Sequence, residues 1–281
     1  MLVRLIYANL AVFIGIKVLY LFFWLMQAGS SPDVWAQNWL AVPSEPSTLL
    51  TRPWTILSYM FLHLDFFHLL GNMLWLYFLG QLFVQFLGEK KLWTVYIAGG
   101  IAGAVLYILF FNVFPVFDQV NPFAKALGAS ASVMAVVVAI GTYAPDFSIR
   151  LLFLGNIKLK YIAIFSFVID VINISNSNAG GHIAHIGGAA LGFFFAKQWK
   201  KGKDITSWVD AATSFLLAIF KASPKPKMKV KHKRSNSEYD YNTRKKEEQL
   251  VVDAILDKIS RSGYDSLTKS EKDILFKASN K

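Results

Sequence analysis

The sequence predicts an all-α membrane protein, a bundle of six transmembrane helices with both termini cytoplasmic. Three observations carry this. The 281 residues are 54% hydrophobic, with 24 Phe and 8 Trp. The apolar residues come in long blocks instead of at amphipathic spacing, as segments that cross a bilayer require. Basic residues fall in alternate loops and in the tail, which sets an orientation. The chain has no cysteine, so disulfides and thiol catalysis are excluded.

The six blocks cover residues 7–27, 67–87, 91–111, 126–143, 159–176 and 182–199. Several approach the roughly 20 residues that a helix needs to cross the hydrocarbon core. The first is read as a retained helix and not a signal peptide. Its apolar run exceeds the ~7–15 residues of a signal core, and Arg4 alone precedes it. Lys90, Lys91, Arg150, Lys158 and Lys160 mark the loops after the second and fourth spans as inner. The other loops carry only Arg52 and Lys125 as basic residues. From Lys197 onward there are 20 Lys+Arg against 11 Asp+Glu. A tail of that charge reads as cytoplasmic retention, and no nucleic-acid partner is expected.

Residues 1–203 are read as the membrane bundle, 204–223 as an interfacial helix, 224–249 as a basic linker and 250–281 as a small helical tail. In the first outer loop Trp35 and Trp39 are one helical turn apart, which fits a helix at the headgroups. Trp208, Ala212, Phe215, Leu216, Ile219 and Phe220 share one face of the interfacial helix. The linker holds Lys225, Lys227, Lys229, Lys231, Lys233 and Arg234, a run that attracts anionic lipid. In the tail, a helix over 250–262 stops at Gly263. Thr268 and Glu271 then have the spacing of a capping box for a last short helix.

Polar residues inside a bilayer are costly and mark function. The second, fourth and sixth spans run from outside to inside, so their N-terminal ends share one depth. Each carries a polar motif: His68 and Asn72, then Ser130, then His182 and His185. His68 and Asn72 project from one helix face. Ala184, Gly188 and Gly192 form a stripe of small residues, as do Ala131, Ala135 and Ala139, and such stripes let backbones approach closely. A close crossing there brings a serine hydroxyl towards an imidazole. That pair can supply a nucleophile and its base. His68, the Asn72 amide and the Ser130 backbone N–H are candidates for stabilising an oxyanion. No carboxylate is expected beside His185; Asp170 lies on the fifth span with its reach unset, so the reading is a Ser–His dyad. No cofactor or metal is expected, although His63, His68, His182 and His185 leave a haem- or ion-binding bundle open as an alternative.

Between about Arg52 and Trp199 the sequence resembles the rhomboid family of intramembrane serine proteases. The resemblance rests on Arg52-Pro53-Trp54 with Phe61-Leu62-His63, on His68-Leu69-Leu70-Gly71-Asn72, on Gly128-Ala129-Ser130-Ala131, and on Ala184-His185-Ile186-Gly187-Gly188 through Gly192. It implies Ser130 as nucleophile, His185 as general base and acid, and His68 and Asn72 at the oxyanion site. It also implies transmembrane protein substrates and, for a member of bacterial type, the inner membrane. A catalytically inactive relative that binds membrane proteins is the alternative. Ala131 stands where the family usually has glycine, Met134 where an aromatic residue often stacks on the histidine, and Val84 where many members have glutamate.

Overall fold

The computed structural model describes residues 1–27, 29, 31–151, 155–175, 178–220 and 236–279. The chain forms two compact units, Met1–Lys221 and Ala222–Lys281. The first unit opens with α1 (Leu2–Leu25) and α2 (Pro32–Leu40), the latter started by a proline in its first turn. Strand β1 (Val42–Pro43), α3 (Pro46–Thr51) and α4 (Thr55–Ser58) complete the long first loop. A 3-10 turn at Tyr59–Phe61 leads to α5 (Phe66–Leu87), and α6 (Glu89–Val113) follows after Gly88.

Strand β2 (Lys125–Ala126) pairs antiparallel with β1, Val42 opposite Ala126. It precedes α7 (Ser130–Tyr143). A hairpin of β3 (Ser148–Leu151) and β4 (Gly155–Lys158) leads into α8 (Leu159–Asn173), and α9 (Ala179–Trp199) and α10 (Ser207–Phe220) end the unit.

Helix α7 is the centre. From Ala131 to Gly141 every residue except Met134 is buried. It packs chiefly on α9 and α6. Close packing follows from small residues: a Cβ added to Gly188 would collide with the Ala131 carbonyl oxygen, and one at Gly192 with that of Ala135. Without a hydrophobic force between helices in lipid, such close backbone contact is a main source of association. Polar ties fix the first loop to this core. The Tyr59 hydroxyl donates to the Gly100 carbonyl at 2.6 Å, and Tyr96 donates to the Met60 carbonyl at 2.9 Å. The Asn9 amide donates to the Tyr96 oxygen at 3.2 Å and joins α1 to α6.

Several expectations need correction. Among the described residues four helices, α1, α5, α6 and α9, are long and apolar enough to cross a membrane by length and composition. α7 and α8 have 14 and 15 residues. The fourth helix begins at Ser130 and not at 126, because residue 126 is held in the β1–β2 pair. In α10 Trp208, Ala212, Phe215 and Leu216 are exposed, as are Ala211, Ser214 and Leu217. The side chains of Ile219 and Phe220 lie outside the described residues. The helix packs on α6 with Val209 buried and Trp93 Nε1 donating to Thr213 Oγ1 at 3.3 Å. Lys91 reaches Asp204 at 2.6 Å and Asp210 at 3.1 Å.

In the second unit, α11 (Asn236–Ser262) starts well before residue 250, so 236–249 is helix and not linker. Tyr239 to Glu248 is rich in strong helix formers, which outweighs its lack of an apolar face. The basic run 225–234 lies outside the described residues. The helix stops at Gly263, whose φ of 79° favours glycine, and α12 (Lys269–Ser279) begins at the capping box. There the Thr268 N–H donates to Glu271 Oε2 at 2.7 Å, and the Glu271 N–H donates to Thr268 Oγ1 at 3.4 Å.

Candidate active site

The turn before α7 positions Ser130. Gly128 has φ of 115°, a conformation that side-chain-bearing residues rarely adopt. A Cβ there would also lie 2.7 Å from His68 Cε1, so glycine makes room for the imidazole. The Gly128 N–H donates to the Tyr59 carbonyl at 2.9 Å. The Ala129 N–H donates to His63 Nε2 at 3.2 Å, so the buried His63 clamps the residue that precedes Ser130. No local pattern links a histidine to a backbone N–H 66 residues away, so this role of His63 is not legible in the sequence. Ser130 is the first residue of α7 and half-buried.

His68 and Asn72 come from the start of α5. Asp65 caps the helix, its carboxylate accepting from the His68 N–H at 2.7 Å. The Asn72 amide nitrogen donates to the His68 carbonyl at 2.8 Å, which spends one of its two hydrogens and leaves the other.

His182 and His185 lie in the first two turns of α9, whose cap is Asn178. Three residues apart, they project from one face. Both meet Asp170, near the end of α8: Nδ1 of His182 and Nδ1 of His185 each lie 2.8 Å from Asp170 Oδ1. The expectation that His185 has no carboxylate partner is therefore corrected. Asp170 is buried, at 5% exposure. The donor atoms of Asp170, His182 and His185 all lie within 4.8 Å of one another, so these three could hold a metal ion. Both imidazole Nδ1 atoms are, however, already paired with the carboxylate.

An open cavity of about 1660 Å³ lies between α5 and α8, floored by α7 and α9. Ser130, His185, His68, Asn72 and Asp170 all line it. Ser130 and His185 thus face the same space, with no direct hydrogen bond between them. Aromatic side chains at Phe67, Trp75, Phe78, Tyr161 and Phe165 form its walls. Met134 also lines it. Ala131 does not: it is buried, and its methyl packs against Gly103 of α6. Gly188 and Gly192 stand at the α7–α9 contact, one turn and two turns below His185. His63 reaches the site through backbone and not as a ligand, which separates it from the histidine set of the ion-binding alternative.

Comparison with known proteins is consistent with this geometry. The Rhomboid domain family matches residues 50–199, more than half of the chain. A second family, of unknown function (DUF6576), matches residues 236–281. The chain is 28% identical over 159 residues to RHOMBOID-like protein 12, mitochondrial, of Arabidopsis thaliana, covering 53% of this chain and 47% of that protein. It is 27% identical over 164 residues to rhomboid protease GlpG of Yersinia pseudotuberculosis, covering 58% and 54%. The chain spans about half the length of these curated relatives. Its apolar helices and this match make it a multi-pass integral membrane protein, and it belongs to the rhomboid family.

Proposed function

We propose that the protein is an intramembrane serine endopeptidase that hydrolyses peptide bonds in or near transmembrane segments of other membrane proteins. The observation that carries this is the shared cavity: Ser130, His185, His68 and Asn72 line one space, although they come from three separate helices. The relatives named as rhomboid proteases support the reaction class.

In this reading His185 Nε2 takes the Ser130 hydroxyl proton as Oγ attacks the scissile carbonyl carbon. The carbonyl oxygen becomes an oxyanion. It is met by the remaining Asn72 amide hydrogen, by the His68 ring, and by the unpaired N–H groups of the first turn of α7. The positive end of the α7 dipole adds to this. The intermediate collapses to an acyl-enzyme, and the imidazolium returns its proton to the leaving amine. Water, activated by the same imidazole, then releases the acyl group. The gap between α5 and α8 gives a transmembrane substrate a lateral way in, with aromatic walls that suit an apolar segment.

We place all six helices of the sequence reading, α1 and α5 to α9, across the bilayer, with the termini cytoplasmic as the loop charges indicate. The bacterial inner membrane and contact of anionic lipid with the basic run 225–234 belong to the same proposal. A fluorophosphonate probe and a fluorogenic transmembrane peptide test it. Wild type should be labelled and should cleave, and Ser130→Ala should do neither. A wild type that takes no label yet captures membrane proteins would instead be an inactive binder.

A further inference from the structure

We infer that Asp170 is a positioning residue for His185, turning the Ser–His pair into a three-membered Ser130–His185–Asp170 arrangement. This rests on the reading of Ser130 and His185 as nucleophile and base.

Asp170 is a buried carboxylate near the end of a mostly apolar helix, a placement that is costly without a partner. It has two: His185 and His182 each approach the same oxygen, Oδ1, at 2.8 Å through Nδ1. An ionised carboxylate can only accept. In the inferred arrangement each ring donates to Asp170 from Nδ1, which leaves a neutral His185 with the bare lone pair on Nε2, the atom that must take the Ser130 proton. The sequence spacing explains why both rings reach: His182 and His185 are one turn apart on α9, and Asp170 comes from the neighbouring α8. His182 gives the same carboxylate oxygen a second hydrogen-bond partner.

Two consequences follow for the reaction. The ring is held in the productive tautomer before substrate arrives. When Nε2 accepts the proton, the imidazolium forms next to a fixed negative charge, so charge separation in the transition state is stabilised. The proton itself stays on the imidazole, and Asp170 stays ionised throughout.

The test uses the full-length protein in proteoliposomes with a fluorogenic transmembrane peptide. Asp170→Asn can turn its NH₂ towards His185 Nδ1 and favour the wrong tautomer. It should lower kcat by up to about 10⁴-fold, the drop known when a triad carboxylate is neutralised, with KM within about threefold. Asp170→Glu should recover part of the loss. In ¹⁵N-histidine spectra the wild-type His185 should be protonated at Nδ1, and in Asp170→Asn at Nε2. Wild-type His185 protonated at Nε2 would overturn the inference even if the variants fold poorly. So would undiminished kcat in Asp170→Asn. Wild-type activity that EDTA abolishes and a divalent ion restores would overturn it too, making the cluster a metal site. If wild type and Ser130→Ala are equally inert towards peptide and fluorophosphonate, the protease reading fails, while the tautomer measurement still reports on Asp170 by itself.

Discussion

Gly188 faces the backbone carbonyl of Ala131 so closely that no side chain fits between them. This one contact sets the distance between α7 and α9, and so between Ser130 and His185, one residue and three residues away along their helices. The proposed catalytic geometry and the helix packing therefore depend on the same contact.

Gly188→Val should lose stability and activity together. Overpacking of a tight contact costs on the order of 3 kcal/mol when the neighbour is backbone and cannot rotate away. Thermal unfolding in detergent and peptide cleavage should both fall, and Gly192→Ala, against the Ala135 carbonyl, should do so to a smaller degree. Full activity in Gly188→Val would show that the helices can separate without moving the dyad.

Asn72→Ala tests the oxyanion donor. Turnover should fall by ~10–1,000-fold, the cost of removing one such donor, with KM and the melting temperature little changed. Its hydrogen bond to the His68 carbonyl is local to α5, so fold loss is not expected to mask the effect. Unchanged kcat would remove Asn72 from that role.

Gly128→Ala combines two penalties. The residue needs positive φ, and its new methyl would press on His68. Backbone strain of this type costs about 1–3 kcal/mol. The expected result is a loss of cleavage greater than the loss of thermal stability, because the turn leads directly into Ser130. Equal activity to wild type would show that the turn can flip without cost.

The C-terminal hairpin carries a pH prediction. The Lys258 ammonium, 2.8 Å from Glu271 Oε1, and the Thr268 groups hold the Glu271 carboxyl at about 2, below its ordinary 4.5. A lowered folded-state value means that the contribution to stability is complete above about 4.5. It is lost as pH falls from there towards 2. Hydrogen exchange of residues 264–279 in the full chain should speed up across that window beyond its intrinsic pH dependence. In Glu271→Gln the extra step should be absent.

Much of this architecture can be read from the residues. The apolar blocks mark the helices, Gly263 and the Thr268–Glu271 pair mark the tail hairpin, and the polar ends of three helices name the cavity lining. What escapes is non-local. Ala126 belongs to a strand because Val42, far away in sequence, pairs with it. Asp170 meets His185 because α8 and α9 happen to be neighbours at that height, which no spacing within α8 encodes. The β3–β4 hairpin falls in the inner loop between the fourth and fifth spans, where only the basic residues Arg150 and Lys158 stand out in the sequence. The first half of α11 has no apolar periodicity, so its helix is not visible as a hydrophobic pattern.

The length of α7 has a consequence for the surrounding lipid. Fourteen residues rise about 21 Å, against roughly 30 Å of hydrocarbon. Its neighbours α5, α6 and α9 are all longer, at 22, 25 and 21 residues. With α7 across the bilayer as proposed, its ends fall short of the hydrocarbon boundaries, and cleavage should then respond to acyl-chain length.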